Sequence, residues 1–216
     1  MTPIEPPRGT ARVRETIADT AVRLFLEQGF EETTIDEIAA EAGVSRRTYF
    51  RYFATKDDAI LEYIALLADR ITCALESRPA GEPGLRALQN AMREVLVDEV
   101  QDTPLARALT RLIVGTPSLR CRQLGINARM ETRVAGILAA RLGLPAVDTT
   151  ASLVAALGAD ALDLGTQRWL EHTDDDTGLV AEIDAVFDAI RKVYRQPSAK
   201  ARTAASPRAE AEPAKA

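Results

Sequence analysis

Apolar side chains recur along this chain at three- and four-residue spacing, which predicts amphipathic helices rather than strands. Val13, Ile17, Ala21, Leu24 and Phe25 share one face of a segment covering about 10–28, which Gly29 ends. Ile35, Ile38, Ala39 and Ala42 form a shorter stripe, with Asp36, Glu37 and Glu41 opposite. From Lys56 a longer pattern runs to about Ser77 with Ile60, Ile64, Leu67 and Ile71 on one side. At ~1.5 Å per residue that helix spans on the order of 30 Å, enough to connect two domains. Pro79 and Pro83 break the pattern, and further helices are predicted over about 85–100, 104–114, 117–142, 148–172 and 178–194. The expected fold is all-α. It has a flexible arm at 1–9, a three-helix head at 10–55, a larger helical domain at 56–195 and a disordered tail at 196–216.

The stretch 33–56, TTIDEIAAEAGVSRRTYFRYFATK, carries the densest local signals. Thr34 and Glu37 have the spacing of a capping box, and Gly43 stands where the chain must leave the helix at positive φ. Ser45 is a suitable N-cap for a second short helix, and Thr55 with Asp58 repeats the capping box ahead of the long helix. Two short helices joined by a glycine turn are the layout of a helix-turn-helix, whose second helix enters the DNA major groove. In that second helix Tyr49, Phe50 and Phe53 are expected to pack inward. Arg46, Arg47, Thr48, Arg51 and Tyr52 are expected to reach outward.

Gly29, Thr33, Thr34, Ile38, Ala39, Ala42, Gly43, Val44, Ser45, Phe53 and Lys56 stand in the order and spacing of the TetR family of transcriptional regulators, and over its first quarter the chain resembles that family. Arg47 stands where many members have glycine and Phe50 where many have tyrosine, so one hydroxyl contact to phosphate is missing. The resemblance implies a homodimer on a palindromic double-stranded DNA operator. Tyr52, Lys56 and the N-terminal arm would hold phosphates, Arg46, Arg47, Thr48 and Arg51 would read bases, and Thr34 and Ser45 belong to the same DNA-binding set. It also implies a repressor released by a small lipophilic effector. An activator or corepressor-dependent regulator of the same fold, and a helical small-molecule-binding module outside transcription, are the alternatives.

Composition narrows the choice. The 216 residues are 46% hydrophobic, 27% charged and 5% aromatic, with a net charge of −5, which argues against a general polyanion binder. Positive charge is nevertheless local: residues 45–56 hold Arg46, Arg47, Arg51 and Lys56 and no acid, and Arg8, Arg12 and Arg14 precede them. The single histidine, His172, has no nucleophile or metal-ligand pattern around it, so the chain is expected to be neither an enzyme nor a metal or cofactor protein. Cys73 and Cys121 are expected to be buried, unpaired thiols, with a redox switch as the alternative. The absence of a bilayer-length apolar run or a signal-like N-terminus leads us to expect a cytoplasmic protein without a membrane partner.

Two further expectations rest partly on the resemblance. The stripe Leu179, Ile183, Val186, Phe187, Ile190 and Tyr194, with Ala151, Gly158 and Gly165 at seven-residue spacing, is assigned to dimerisation. The effector pocket is expected among helices 85–170. Its candidate residues are Met92, Leu96, Arg107, Arg111, Leu112, Asn127, Asp160, Gln167 and Trp169, with Leu88, Leu109, Ile113, Leu124, Met130, Leu153, Leu157, Asn90 and Asp163 as further lining. Residues 105–119 and Arg168-Trp169-Leu170 resemble members tied to acyl-coenzyme A-like ligands, which makes a long-chain acyl thioester the first ligand to consider.

Overall fold

The computed structural model describes residues 8–99, 104–172 and 178–195, and every regular element among them is helical. In order these are α1 (Arg8–Gln28), α2 (Ile35–Glu41), α3 (Arg46–Tyr52), α4 (Lys56–Ser77), α5 (Gly84–Glu99), α6 (Pro104–Gly115), α7 (Pro117–Arg141), α8 (Thr149–Glu171) and α9 (Leu179–Arg195). Helix α1 begins at Arg8, so two residues assigned to the arm belong to its first turn. The rest of the arm (1–7) and the expected tail (196–216) lie outside the described residues. No helix among the described residues is long and apolar enough to cross a membrane.

Local chemistry sets the helix ends of the head. The Glu37 amide donates to Thr34 Oγ1 at 3.2 Å and the Thr34 amide donates to Glu37 Oε2 at 2.8 Å, a complete capping box. Helix α2 ends with Gly43 at φ 67°, where the Val44 amide donates to the Ala39 carbonyl and the Gly43 amide to that of Ala40. A side chain other than glycine is strained in that left-handed conformation. Ser45 Oγ accepts from the Thr48 amide at 3.1 Å and starts α3. Thr55 and Asp58 form the second capping box, at the start of α4.

The buried residues form two main cores. The head packs Ile17, Ala21 and Phe25 of α1 against Ile38, Tyr49, Phe53 and Ile60, and α6 contributes Leu109 and Ile113 to the same cluster. Helix α4 therefore serves both halves, with Ala59 and Ile60 in the head core and Ile71 and Leu75 in the body core. The body core joins α5, α7, α8 and α9 through Leu88, Met92, Met130, Val134, Trp169, Ile183 and Phe187.

Three expectations change here. The apolar stripe of α9 and the small-residue stripe of α8 do not face outward. Leu179, Ile183, Val186 and Phe187 are buried in the chain's own core, as are Ala151, Gly158 and Gly165, and the side chain of Tyr194 lies outside the described residues. A Cβ at Gly165 would sit 2.8 Å from Ile183 Cα, so this glycine admits the backbone of α9 rather than that of a second copy. Cys73 and Cys121 are free but exposed, not buried, because each falls on the solvent-facing side of its helix. Leu124 and Leu153, expected as pocket lining, are also exposed.

Candidate nucleic-acid interface and ligand cavity

Seven residues, RRTYFRY, make up α3, and its helical period sorts them into two faces. Tyr49 is fully buried and its hydroxyl donates to the Thr55 carbonyl at 3.0 Å. Burial, then the charges of Asp58 and Asp57, push that phenol up to about 12, so it stays a neutral donor. Arg46, Arg47, Phe50 and Arg51 stand at i, i+1, i+4 and i+5 and occupy the exposed face. Contrary to the inward packing that its sequence position predicts, Phe50 is 44% exposed, edge-on to Tyr49 and 5.3 Å beneath the Arg46 guanidinium. The spacing of 46, 47, 50 and 51 is the signal that could have placed it there. Tyr52, expected to reach outward, is half-buried.

The charges on this face are unequally committed. Arg46 is paired with Asp36 of α2 at 2.6 Å. Arg51 donates to the Tyr52 hydroxyl at 3.1 Å and lies 4.9 Å from its ring centroid. Arg47 is exposed and makes no such contact among the described residues. Thr34, Ser45 and Thr48 are engaged in capping: the Thr34 hydroxyl donates to Glu37 at 2.9 Å, and the Ser45 and Thr48 hydroxyls share a 2.9 Å bond.

Lys56 departs from the expectation of a phosphate contact. Its ammonium donates to the carbonyls of Phe30 at 2.6 Å, Thr33 at 2.9 Å and Glu31 at 3.5 Å, and lies 4.4 Å from the Phe30 ring centroid. An ammonium has three protons, and these three carbonyls of the α1–α2 turn take them all. Lys56→Met should therefore lower head stability by about 1–2 kcal/mol and leave the salt dependence of DNA binding unchanged. A thermal melt paired with a salt titration checks this; a slope reduced by about one would restore the phosphate role.

The head is tied to the body by ion pairs beside α3. Arg14 of α1 meets Glu62 of α4 at 2.7 Å, and Arg122 of α7 meets Asp58 of α4 at 2.8 Å. The other oxygen of Asp58 accepts from the Ala54 and Thr55 amides at 2.9 and 3.0 Å. Burial pushes the Asp58 carboxyl up, but the bonds from Arg122, Thr55 and Ala54 outweigh it and hold the group below its ordinary value. A carboxyl depressed in the folded state contributes stability that is present above its unfolded pKa and lost as pH falls through the folded value. The unfolding midpoint should thus drop below about pH 4 with a slope that Asp58→Asn flattens. Urea titrations at stepped pH measure it.

A cavity of about 160 Å³ opens between α1, α4, α6, α7 and α8. Val22 and Leu26 of α1 and Tyr63, Ile64, Leu67 and Ala68 of α4 form one side. Leu109 and Ile113 of α6, Met130 of α7 and Leu162 of α8 form the other. Thr110, Arg120, Gln123, Asn127, Asp163 and Thr166 make its polar wall, and Ile60, Ile71, Leu96, Ala106 and Leu179 also line it. Of the nine candidate residues only Leu96 and Asn127 line it; Asp163, Leu109, Ile113 and Met130 of the wider set do too.

The other candidates have structural duties. Met92 and Trp169 are fully buried core, and Leu112 packs against the head core. Arg107 is buried, donates to the Trp169 and His172 carbonyls at 2.7 and 2.8 Å and stacks 4.8 Å from the Trp169 ring centroid. With Arg111, which reaches the Leu170 carbonyl at 3.3 Å, it satisfies the carbonyl end of α8. Asp160 and Gln167 are exposed. The missed residues had a usable signal in Arg120, Gln123 and Asn127, which recur at i, i+3 and i+7 on α7. The contributions of α1 and α4 had none, because their apolar stripes read as core.

A helix-turn-helix with an arginine-bearing outer face, carried on a larger helical body with its own cavity, defines a DNA-binding regulator. Residues 17–63 match the family described as bacterial regulatory proteins, tetR family, and residues 82–195 match the MftR C-terminal domain. The HTH-type transcriptional regulator TcmR of Streptomyces glaucescens is 34% identical over 85% of this chain and 85% of its own. A putative mycofactocin biosynthesis transcriptional regulator, MftR of Mycobacterium tuberculosis, is 29% identical over 81% of this chain and 87% of its own. The fold is shared with a TetR-family repressor, FadR of Thermus thermophilus, solved in complex with lauroyl-CoA. That likeness has a TM-score of 0.56 at 23% identity and covers 86% of this chain and 97% of that one. This chain belongs to the TetR family and is a transcriptional regulator, not an enzyme.

Proposed function

We propose that this regulator is a homodimeric repressor that binds a palindromic operator and is released when a small lipophile enters the cavity between α1, α4, α6, α7 and α8. The observation that carries the reading is the ownership of the cavity walls. Val22 and Leu26 lie on α1 and Ile60, Ile64 and Leu67 on α4, the two helices that also build the head core. A ligand there touches the head's own supports. It shifts DNA occupancy by as much as its affinity differs between the two head positions. In this division of labour 10–55 reads DNA and 56–195 senses and associates. Arg46, Arg47, Thr48 and Arg51 serve base edges, with Phe50 beside them for a thymine methyl, while Thr34, Ser45 and Tyr52 serve phosphates.

Dimerisation supplies the second recognition helix that a palindrome requires. Support comes from the outer side of α8 and α9, where Leu153 and Leu164 are each 48% exposed and Val193 is 69% exposed. The exposed Ala181, Ala185 and Ala189 form a low row between helical turns on the same side of α9. Genomic DNA fragments retained by the purified protein, sequenced and competed with lipophiles, test the whole reading. Recovered palindromes and a sedimenting dimer are the expected result. Retention that increases with a lipophile would instead assign a corepressor-dependent regulator, and retention without a shared sequence would sink the operator.

A further inference from the structure

We infer that the effector is an uncharged lipophile with a hydroxyl, carbonyl or amide at one end, and that the Arg120–Asp163 pair in the cavity wall is what rejects charged ligands. This rests on the cavity being the effector site. Among the described lining residues only Arg120 and Asp163 are ionic, one of each sign, so their charges cancel. They form an ion pair between α7 and α8, with side chains only 20% and 31% exposed.

Both members are already engaged by the protein. The second oxygen of Asp163 accepts from Gln167 Nε2 at 3.0 Å, and a second nitrogen of Arg120 donates to Gln123 Oε1 at 3.0 Å. A ligand carboxylate drawn to Arg120 would have to displace Asp163 or lie beside its charge. A ligand ammonium drawn to Asp163 meets Arg120 in the same way. In a space walled by Leu26, Ile64, Leu67, Met130 and Leu162 that repulsion is weakly screened, and the desolvation of a third charge is uncompensated.

What remains open to a ligand is neutral. The Gln123 carbonyl is taken by Arg120, which leaves its amide protons as donors, and Asn127 offers an amide on the next turn. The hydroxyls of Thr110 and Thr166 donate to the Ala106 and Leu162 carbonyls at 2.8 and 2.7 Å, so each presents oxygen lone pairs to the cavity. Amide donors beside hydroxyl acceptors, above an apolar floor, match an alcohol, ketone or amide. An acyl-coenzyme A thioester, the ligand expected from the resemblance, brings several negative charges to a site with no unpaired cation among its described lining residues.

The test uses one chain length with different heads: decanol, decanamide, decanoate, decylammonium and decanoyl-coenzyme A, bound to the full-length protein and followed by calorimetry. Decanol and decanamide should bind roughly tenfold or more tighter than the three charged probes. Asp163→Asn leaves Arg120 unopposed and should shift the preference toward decanoate by roughly tenfold, and Arg120→Gln should shift it toward decylammonium. The neutral double variant Arg120→Gln/Asp163→Asn should regain the preference of the unaltered protein, and a thermal melt of each variant shows whether it remains folded. Tighter binding of decanoate or decanoyl-coenzyme A to the unaltered protein would overturn the inference and leave the cavity's role standing. An unchanged preference in both single variants would overturn the part given to the ion pair. Binding of none of the five, with the protein still retained on DNA, would remove the cavity as effector site and the inference with it.

Discussion

Gly165→Val should lower the unfolding free energy by about 3 kcal/mol or more, one of the largest effects of a single substitution in this chain. A Cβ built at Gly165 lies 2.8 Å from Ile183 Cα and 2.9 Å from Ile183 N, and both are backbone atoms of α9. Side chains can rotate out of such a clash; a helix backbone can only translate. Moving α9 outward would uncover Ile183 and Phe187, which are buried against α8 and the rest of the core. Gly158 supplies the contrast. A Cβ there meets the Leu88 Cδ2 methyl at 2.2 Å, the far end of a side chain that can turn, so Gly158→Ala should cost less than Gly165→Ala. Gly136 is the control, since nothing lies within 4 Å of a Cβ there. In mid-helix Gly136→Ala should stabilise by up to about 1 kcal/mol. Urea midpoints of the variants decide the matter. If Gly165→Val unfolds with the same midpoint as Gly136→Ala, α8 and α9 are not packed as described.

Arg47→Ala should cost about 1–3 kcal/mol of operator affinity and relax preference at one base pair of each half-site. The four outward residues of α3 are not equivalent. Arg46 is held by Asp36 and Arg51 by Tyr52, so either must share or give up that contact to present its full guanidinium edge to a base. Arg47 has no such contact to surrender, so its guanidinium meets DNA with the smaller reorganisation cost. Arg47→Lys should recover part of the affinity and little of the preference, because an ammonium cannot form the paired bonds that a guanidinium makes to a guanine edge. Arg46→Ala should cost less than Arg47→Ala. Selection from a randomised duplex library, with each variant bound at matched salt, measures both quantities. An unchanged preference for Arg47→Ala would show that the base contacts come from elsewhere on the face.

The features legible before any fold was known depend on interactions over about four residues. The capping boxes of Thr34 with Glu37 and Thr55 with Asp58, the positive φ of Gly43 and the apolar periods of α1, α2 and α4 need no distant partner, and all were legible. They sufficed for the all-α fold and for the helix-turn-helix that marks the family. The tertiary structure decided whatever depends on which neighbour a side chain meets. Lys56 reads equally well as a phosphate ligand until three carbonyls of the α1–α2 turn close around it. Gly158 and Gly165 announce a close approach, but their spacing does not say whether the approaching atoms belong to this chain or to another copy, and here they are Leu88 and Ile183. The cavity draws its lining from seven of the helices, and its ion pair joins residues 43 positions apart. Periodicity reports that a face is apolar; only packing decides whether that face is filled by the chain itself or left open for a ligand.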